Sequence, residues 1–269
     1  MSDTFMTKRD IYYQNVLLFK NQVTVDQVVN DLCCTFNVSR YQLQIRACNK
    51  GLISGPIQLI LKSGVVLDAS QSVIKYAKPN KIQVITIQTS SRWILIVEKD
   101  AIFQSFISNA FHQTHPNTIL ITGKGYPDVA TRSLIFKLSN ELQREQPHLY
   151  QFKISALVDA DPDGIEILSC YKFGSKSMAF QGDTLSCPRI KWIGIYPSQW
   201  ILQGKSSMIN QLIQLSTRDY KKVWNILSRS NIRNDSLLKN ELCRMIHLGY
   251  KSEIQIIPIF KLIQFHLEI

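Results

Sequence analysis

Long apolar runs are missing from this chain. Its apolar stretches fall well short of the roughly 18 residues that a membrane span requires, and its amino end lacks the apolar core typical of a signal peptide. The six cysteines form no C-x-x-C spacing and no zinc pattern. Internal repeats and low-complexity tracts are absent as well. These absences argue against a membrane protein, a disulfide framework and a zinc module, and they predict a soluble protein of a reducing compartment.

Acidic residues are scarce relative to basic ones. The 269 residues include 31 Lys and Arg against 20 Asp and Glu, which gives a formal net charge of +11. Residues 189–251 hold 11 basic against 3 acidic residues, so an excess of 8 charges is concentrated late in the chain. Such a balance favours a polyanionic partner, although a merely soluble basic surface is the alternative. With 45% apolar residues, the chain can bury a core and suits one or two domains.

The stretch from Ile154 to Gly164 is the most informative part of the chain, because an apolar run ends directly in Asp159, Asp161 and Asp163. Ligands of open α/β sheets bind at the carboxyl ends of strands, where carboxylates can hold a hard cation. The sequence from Asp159 to Gly164 also resembles the start of an EF-hand calcium-binding loop. That loop needs a carboxylate at its twelfth position, which is Cys170 when counted from Asp159. Solvated turn residues after a strand are the remaining alternative.

A second apolar run delivers a carboxylate to the same edge of the predicted sheet. Residues 92–97 end at Glu98 and precede a helical pattern that Asp100 is placed to cap. A strand ending in Glu and a later strand ending in Asp-x-Asp resemble the Toprim fold of topoisomerases, primases and some nucleases. That fold binds magnesium, which takes oxygen ligands and usually only a few protein carboxylates. The resemblance therefore implies Mg²⁺ on Glu98, Asp159 and Asp161.

A tyrosine pair lies near the amino end, in a segment that the pattern predicts to be one helix from Thr7 to Phe19. Its broad apolar arc holds Ile11, Tyr12, Val16, Leu18 and Phe19, and its polar edge holds Arg9, Tyr13 and Lys20. We therefore predict that Tyr12 packs in a core and that Tyr13 presents a free hydroxyl. Arg9 is four residues earlier, where its guanidinium can bind a phosphate and favour the phenolate. Two core tyrosines are the alternative.

Several segments together resemble one family, that of the meiotic double-strand-break transesterase (sporulation protein eleven) and the topoisomerase VI A subunit. They are Lys8–Tyr13, Val97–Phe103, Thr122–Arg132, Asp159–Gly164, Lys191–Gly194, Thr217–Asp219 and Lys251–Gln255. The resemblance covers nearly the whole chain, and the order of the motifs is highly specific. It implies that Tyr13 is the nucleophile, assisted by Arg9, and that Glu98, Asp159 and Asp161 hold Mg²⁺.

The resemblance also implies partners and a place in the cell. We expect double-stranded DNA as the substrate, a homodimer on DNA, accessory meiotic break-formation proteins and a topoisomerase VI B-like subunit. The expected location is the nucleus, on chromosomes. Family members usually carry a substantial segment before the tyrosine, whereas twelve residues precede Tyr13 here. Whether the amino-terminal domain is complete therefore stays open.

The pattern of elements predicts an α/β chain with two domains. Residues 1–78 are expected to form a winged-helix-like DNA-cleavage domain, with a second helix at 24–36 and a hairpin at 59–67 as its wing. Residues 79–269 are expected to form a Toprim domain with a mainly parallel sheet and C-terminal helices. Its predicted strands are 82–88, 92–97, 118–121, 153–158 and 189–195, and its predicted helices are 100–113, 128–146, 163–173, 207–228, 235–248 and 251–268.

The segment from Thr122 to Pro127 is expected to be a loop beside the metal edge. Its glycines allow backbone to approach a phosphate, Lys124 offers a point charge, and Tyr126 can stack on a base or sugar. We therefore predict that Lys124 and Tyr126 bind DNA, and that Asp128 caps the next helix. The loop lacks the order of a Walker A motif.

Three functions remain open from the sequence. The first is a topoisomerase-like DNA transesterase, which would join Tyr13 to a 5′ phosphate and start meiotic recombination. The second is a DNA-binding Toprim module that does not cleave, because its amino-terminal domain is truncated or partners supply the activity. The third is a hydrolase that uses metal-activated water, which leaves Arg9 and Tyr13 without a role.

Overall fold

A computed structural model provides the fold. It describes residues 6–38, 40, 42–46, 50–61, 64–75, 82–87, 92–145, 153–175, 185–202 and 211–256. The described strands are β1 (Met6–Thr7), β2 (Ile45–Arg46), β3 (Leu52–Ser54), β4 (Ile57–Leu61), β5 (Val66–Asp68), β6 (Ile74–Lys75), β7 (Ile82–Ile87), β8 (Trp93–Val97), β9 (Thr118–Thr122), β10 (Lys153–Leu157), β11 (Lys191–Ile193), β12 (Ile213–Gln214) and β13 (Tyr250–Lys251).

The described helices follow the same chain order. They are α1 (Lys8–Gln14), α2 (Val16–Phe19), α3 (Gln22–Phe36), α4 (Asp100–Ser108), α5 (Phe111–Thr114), α6 (Val129–Glu145), α7 (Pro162–Phe173), α8 (Pro197–Leu202), α9 (Thr217–Leu227), α10 (Ser230–Asn234) and α11 (Ser236–Leu248), and a 3-10 turn covers Ile254–Ile256. In the part of the chain that the structure describes, no helix is both long and apolar enough to cross a bilayer.

The central sheet has six strands in the order β11-β10-β8-β9-β3-β6. The first four strands are parallel, and β3 and β6 are antiparallel additions at one side. The predicted α/β class with a mainly parallel sheet is therefore confirmed. Buried parallel strands need apolar side chains on both faces, which is why β8, β9 and β10 read as nearly continuous apolar runs.

Two cores sandwich this sheet. Ile94 and Ile96 of β8 belong to one core, which helices α6 and α7 cover, while Leu95 and Val97 belong to the other, which α4 and α5 cover. The second core is rich in aromatic rings and contains Phe103, Phe106 and Phe111. Helices on both faces hold the strands firmly, so the carboxyl ends of β8 and β10 form a rigid platform for side chains.

The amino-terminal helices form a separate small cluster. Helix α3 buries Val25, Val29 and Cys33, and the partly buried side chains packed against them are Ile11, Tyr12, Phe19, Leu43 and Ile45. Strand β1 pairs in parallel with β2 next to this cluster. The packing of Tyr12 and the helix predicted at 24–36 are confirmed. Whether these elements form a winged helix stays a prediction.

Two predicted helices are interrupted where an asparagine competes with the helix backbone. The predicted helix from Thr7 to Phe19 breaks at Asn15, whose side chain caps α2 by accepting from Leu18 N at 3.0 Å. Val16 and Leu18, which the prediction placed on the apolar arc of one helix, are exposed. The predicted helix 100–113 breaks after Asn109, whose side-chain amide donates to Ser105 O at 2.8 Å.

A smaller antiparallel sheet corrects the predicted role of strand 82–88. Strands β4 and β5 form the predicted hairpin, but β7 pairs with β4 and stays out of the parallel sheet, which β3 and β6 join instead. Strand β11 is also shorter than the predicted strand 189–195. The domain limits of 1–78 and 79–269 stay a prediction, although strand pairing crosses residue 78 in both sheets.

The C-terminal region differs from the prediction because tertiary pairing overrides helix propensity. The predicted helix 207–228 gives way at 213–214 to β12, which pairs with β13, and α9 begins only at Thr217. Residues 250–256, at the start of the predicted helix 251–268, form β13 and the 3-10 turn instead. The remainder of that predicted helix lies outside the described residues. Helix α11 matches the prediction of 235–248.

Candidate metal and DNA site

Two neighbouring strand ends bring Glu98 and Asp159 together. Strands β8 and β10 pair in parallel with Val97 opposite Leu157, so the residues that follow emerge at one edge of the sheet. The backbone N–H of Asp159 donates to Glu98 Oε2 at 2.9 Å. Both carboxylates are buried, with exposed fractions of 8% for Glu98 and 6% for Asp159. The structure therefore places both predicted ligands in one water-poor corner.

Asp159 also organises a segment from the far end of the described chain. Its Oδ1 accepts from Ile254 N at 2.8 Å, and its Oδ2 forms an ion pair with Lys99 Nζ at 2.9 Å. The backbones of Ala160 and Ser252 exchange two hydrogen bonds of 3.0 Å beside it. Sequence reasoning did not identify Lys99, although its place directly after Glu98 at a strand end was a usable signal.

Asp161 caps helix α7 with one carboxylate oxygen, and its other oxygen accepts no hydrogen bond from a described residue. Its Oδ1 accepts from Gly164 N at 2.6 Å, so one oxygen serves the helix. Gly164 allows the first turn of α7 to lie directly on the backbone of Asp159, since a Cβ at this position would be 2.4 Å from Asp159 O. Gly164 therefore allows the start of α7, which Asp161 caps, to pack against Asp159.

The carboxyl groups repel one another in a poorly solvated corner. Burial, followed by the charge of Asp159, raises the pKa of Glu98 to about 8. Burial also raises the pKa of Asp159 and of Asp161. Charged groups held this closely away from water need a cation to stay ionised. Lys99 supplies one positive charge on the Asp159 side.

The donor chemistry of this corner fits Mg²⁺. Within the described residues, Glu98 Oε1 and Asp161 Oδ2 accept no hydrogen bond, so an oxygen of each is free to bind a cation. Magnesium commonly takes one or two carboxylates and fills its other positions with water and phosphate. In the described ranges, however, no three His, Cys, Asp or Glu side chains are gathered closely enough to enclose an ion. Phosphate and water would therefore complete the coordination.

Replacing Glu98 with Gln is expected to stabilise the metal-free protein at alkaline pH. The folded state keeps the Glu98 proton up to about pH 8, whereas an ordinary glutamate carboxyl releases its proton near 4.5. Between these values the folded state binds more protons, so stability falls as pH rises. We expect Glu98→Gln to raise Tm at pH 8.5 by at least about 2 °C, with no gain at pH 4. Thermal melts in chelator measure both.

A matched control for this prediction is Glu253→Gln. Glu253 lies near the same corner and contacts Lys99 at 3.3 Å, but its side chain is 56% exposed. Its replacement should leave the pH dependence of Tm unchanged. Equal Tm values for Glu98→Gln and the wild type at pH 8.5 would contradict the buried, destabilised carboxyl.

Tyr13 and Arg9 both lie on helix α1, near the amino end of the chain. Tyr13 is 62% exposed and its ring is tilted against Tyr12, with centroids 5.3 Å apart. Arg9 is exposed and makes no hydrogen bond or ion pair with any described residue. Thr7 begins the helix with a capping box to Asp10, which fixes the first turn on which Arg9 lies. The structure joins neither side chain to Glu98, Asp159 or Asp161 through a described hydrogen bond or ion pair.

The loop after β9 is tied to the carboxylate corner. Gly125 N donates to Glu98 O at 2.9 Å, and Gly125 has a φ of +84°, which favours glycine. Lys124 Nζ pairs with Asp100 Oδ2 at 2.9 Å, and Asp100 is not the N-cap of α4 as predicted, since Lys99 occupies that position. Gly123 allows close approach of Tyr171, so its small size serves internal packing.

Tyr126 and Asp128 have different surroundings in this loop. The Tyr126 hydroxyl donates to Glu166 Oε2 at 2.8 Å and accepts from Lys222 Nζ at 2.7 Å, while 41% of the residue stays exposed. Asp128 accepts from Thr131 N at 2.7 Å and therefore caps α6, as predicted. DNA binding by Lys124 and Tyr126 stays a prediction.

Comparisons with known proteins show which family this chain resembles. The family model for the Toprim domain of the topoisomerase 6 A subunit and Spo11 matches residues 93–266, and the model described as "Type IIB DNA topoisomerase" matches residues 1–45. The chain is 39% identical over 255 residues to the meiotic recombination protein SPO11 of Homo sapiens, and the match covers 94% of this chain and 62% of that protein. The chain thus spans about three fifths of the length of this relative.

Two further relatives widen the comparison. The meiotic recombination protein W68 of Drosophila melanogaster is 35% identical over 93% of this chain and 71% of its own length. The DNA topoisomerase 6 A subunit of Arabidopsis thaliana is 33% identical over 95% of this chain and 57% of its own length. The matched Toprim region contains all three predicted metal carboxylates and the loop after β9. The chain therefore belongs to the family of Spo11 and the topoisomerase 6 A subunit.

Proposed function

We propose that this chain cleaves duplex DNA by transesterification and makes the double-strand breaks that start meiotic recombination. Relatives named meiotic recombination proteins, at 32% to 39% identity, support this role. The observation that carries the proposal is the exposed Tyr13, one helical turn after an Arg9 that pairs with no described residue, in a chain whose buried strand ends gather Glu98 and Asp159. A tyrosine nucleophile and a metal corner are the two parts that this chemistry requires.

In the proposed reaction, the Tyr13 hydroxyl oxygen attacks a backbone phosphorus and loses its proton. An O–P bond forms to the tyrosine, the P–O3′ bond breaks, and the released 3′ oxygen takes up a proton. Arg9 binds the phosphate and stabilises the phenolate. Magnesium, for which Glu98 and Asp161 each offer an oxygen without a described partner and Asp159 would be the third carboxylate, would supply positive charge near the scissile or the adjacent phosphate. Lys124 and Tyr126 contact the DNA beside this corner.

The proposed assembly is a homodimer on DNA. One tyrosine makes one phosphotyrosyl bond, so a double-strand break needs two tyrosines that face opposite strands. We further propose that residues 1–78 act as a winged-helix-like cleavage domain and that 79–269 act as the Toprim domain. Accessory break-formation proteins and a topoisomerase VI B-like subunit complete the assembly, which acts on chromosomes in the nucleus.

The polarity of the cut strand tests the proposed function. A short duplex is labelled at either end of one strand and incubated with the protein and Mg²⁺, and the reaction is stopped with detergent. We expect covalent adducts only on fragments that begin at the new 5′ end, because the tyrosine keeps the 5′ phosphate. A free 5′ phosphate would indicate hydrolysis by metal-activated water. Bound but uncut DNA, with the expected partners present, would favour a module that does not cleave.

A further inference from the structure

Helix α9 lines a cavity that the proposed reaction does not use. The cavity has a volume of about 580 Å³ and lies between α9, Arg229 and Glu166 of α7. Its lining residues are Glu166, Thr217, Arg218, Lys221, Lys222, Asn225 and Arg229. Four of these side chains are cationic and only Glu166 is anionic. The surface of the cavity therefore carries a net positive charge.

The cations divide into two kinds. Lys222 pairs with Glu166 at 2.9 Å and also with Asp163, and Arg229 pairs with Glu166 as well. These pairs hold the cavity wall in place. Arg218 and Lys221 are exposed and form no ion pair with any residue that the structure describes. Their charges are therefore available to a ligand.

The local sequence explains why the outer face of α9 carries no acidic side chain of its own. The one acidic residue of α9, Asp219, is only 5% exposed. It forms the capping box with Ser216 and accepts from Lys251 Nζ at 2.9 Å. Because Asp219 serves the interior, Arg218 and Lys221 on the outward side of the helix have no acidic residue of the same helix beside them. An anion is the ligand class that this arrangement favours.

An exposed aromatic side chain lies on the same helix as Arg218 and Lys221. Trp224 lies one helical turn after Lys221 and is 63% exposed. The other tryptophans, Trp93, Trp192 and Trp200, are each at most 6% exposed. An exposed indole beside exposed cations is typical of surfaces that bind nucleic acids, where the ring stacks on a base or sugar.

From these observations we infer that the α9 cavity is a subsite for the backbone of duplex DNA. Arg218 and Lys221 hold a phosphate, and Trp224 lies against the neighbouring sugar. This inference rests on the proposed function for its ligand. Lys222 connects the cavity to the carboxylate corner. Its ammonium donates to Asp163, which is two residues after Asp161, and to the hydroxyl of Tyr126, which lies in the loop after β9. A duplex at the carboxylate corner can therefore continue along α9.

Salt-dependent binding tests the subsite in a background that cannot cleave. All variants carry Tyr13→Phe, and binding of a fluorescent duplex is measured by anisotropy between low and high salt. We expect Arg218→Gln with Lys221→Gln to reduce the slope of log K against log salt by about 0.9, because the one phosphate that they hold is no longer neutralised. The reduction should be the same for duplexes of unrelated sequence, because phosphate contacts carry no base information.

The matched control removes two exposed positive charges elsewhere, through Arg233→Gln with Lys239→Gln. If this control reduces the slope as much as the α9 pair does, general charge attraction explains the binding and the subsite is wrong. An unchanged slope in the α9 pair overturns it as well. Because no variant can form an adduct, this result does not depend on cleavage, and failure of the strand-polarity assay alone would affect only the proposed function.

Fluorescence quenching provides a second and independent readout. Acrylamide should quench Trp224 selectively, because the other three tryptophans are buried, and Trp224→Phe identifies its contribution. We expect a duplex to protect Trp224 at least about twofold, and we expect polyglutamate at equal charge to protect it less. Equal protection by polyglutamate would point to an acidic protein as the occupant and overturn the DNA assignment. Unprotected Trp224 in the presence of saturating duplex would also overturn it.

Discussion

Replacement of Tyr13 by Phe is expected to reduce covalent protein–DNA adducts to background. The change removes only the hydroxyl oxygen that would bond phosphorus, so the chemical step loses its nucleophile. DNA affinity and Tm should stay within error, because the Tyr13 side chain is largely exposed and its hydroxyl forms no hydrogen bond with a described residue. Adducts are measured on denaturing gels with labelled duplex, Mg²⁺ and whichever partners support cleavage by the wild type.

Tyr12→Phe is the matched control for this experiment. Tyr12 is adjacent and carries the same functional group, but it packs against the α3 cluster of Val25, Val29 and Cys33. The Tyr12→Phe protein should therefore keep its adducts. Adducts that persist in Tyr13→Phe and vanish in Tyr12→Phe would reverse the assignment of the two tyrosines.

Mixing a Tyr13→Phe protein with a Glu98→Gln protein is expected to restore activity that each lacks alone. We expect that Tyr13 of one protomer in the proposed dimer meets the carboxylates of its partner, because the tyrosine and the carboxylates lie in different predicted domains. A mixed dimer then retains one intact composite site and one site that lacks both parts. Half of the dimers in an equal mixture are mixed, so adducts should return to about a quarter of the wild-type level, as single-strand nicks.

Glu98→Gln is a cleaner metal variant than Asp159→Asn for this purpose. A glutamine oxygen can still accept from Asp159 N, which preserves the contact between β8 and β10. Asp159 instead holds both Lys99 and Ile254, so its replacement would also loosen residues 252–254. If labelled protomers are shown to exchange and no adduct returns, the tyrosine and the carboxylates act within one chain.

The sheet and its carboxylate edge could be predicted because both depend on local patterns. The apolar runs of β8 and β10 mark buried parallel strands, and the acidic residues after them had to meet at one edge. The burial of Tyr12 and exposure of Tyr13 followed from helical spacing in the same way. In each case the nearest residues along the chain carry the relevant physical constraint.

The errors arise where distant residues decide the structure. Strand β7 joins the sheet of β4 because their backbones pair. The amino-acid sequence of 82–87 does not identify β4 as that partner. Residues 250–252 form an extended segment because they bond β12 and Ala160 instead of continuing a helix. The cation next to Asp159 is supplied by Lys99, which the spacing of carboxylates alone could not indicate. Asn15 was a local signal, since asparagine caps helices more readily than it continues them.

Peptide mapping of the covalent adduct tests the central claim most directly. Trypsin cleaves after Arg9 and Lys20, so one peptide, Asp10–Lys20, contains both Tyr12 and Tyr13. After cleavage of duplex DNA with Mg²⁺, nuclease trimming and fragmentation in a mass spectrometer, we expect the nucleotide mass on Tyr13 through a 5′ phosphate. Nucleotide on Tyr12 or on another peptide, or cleaved DNA without any tyrosine-linked nucleotide, would contradict the account.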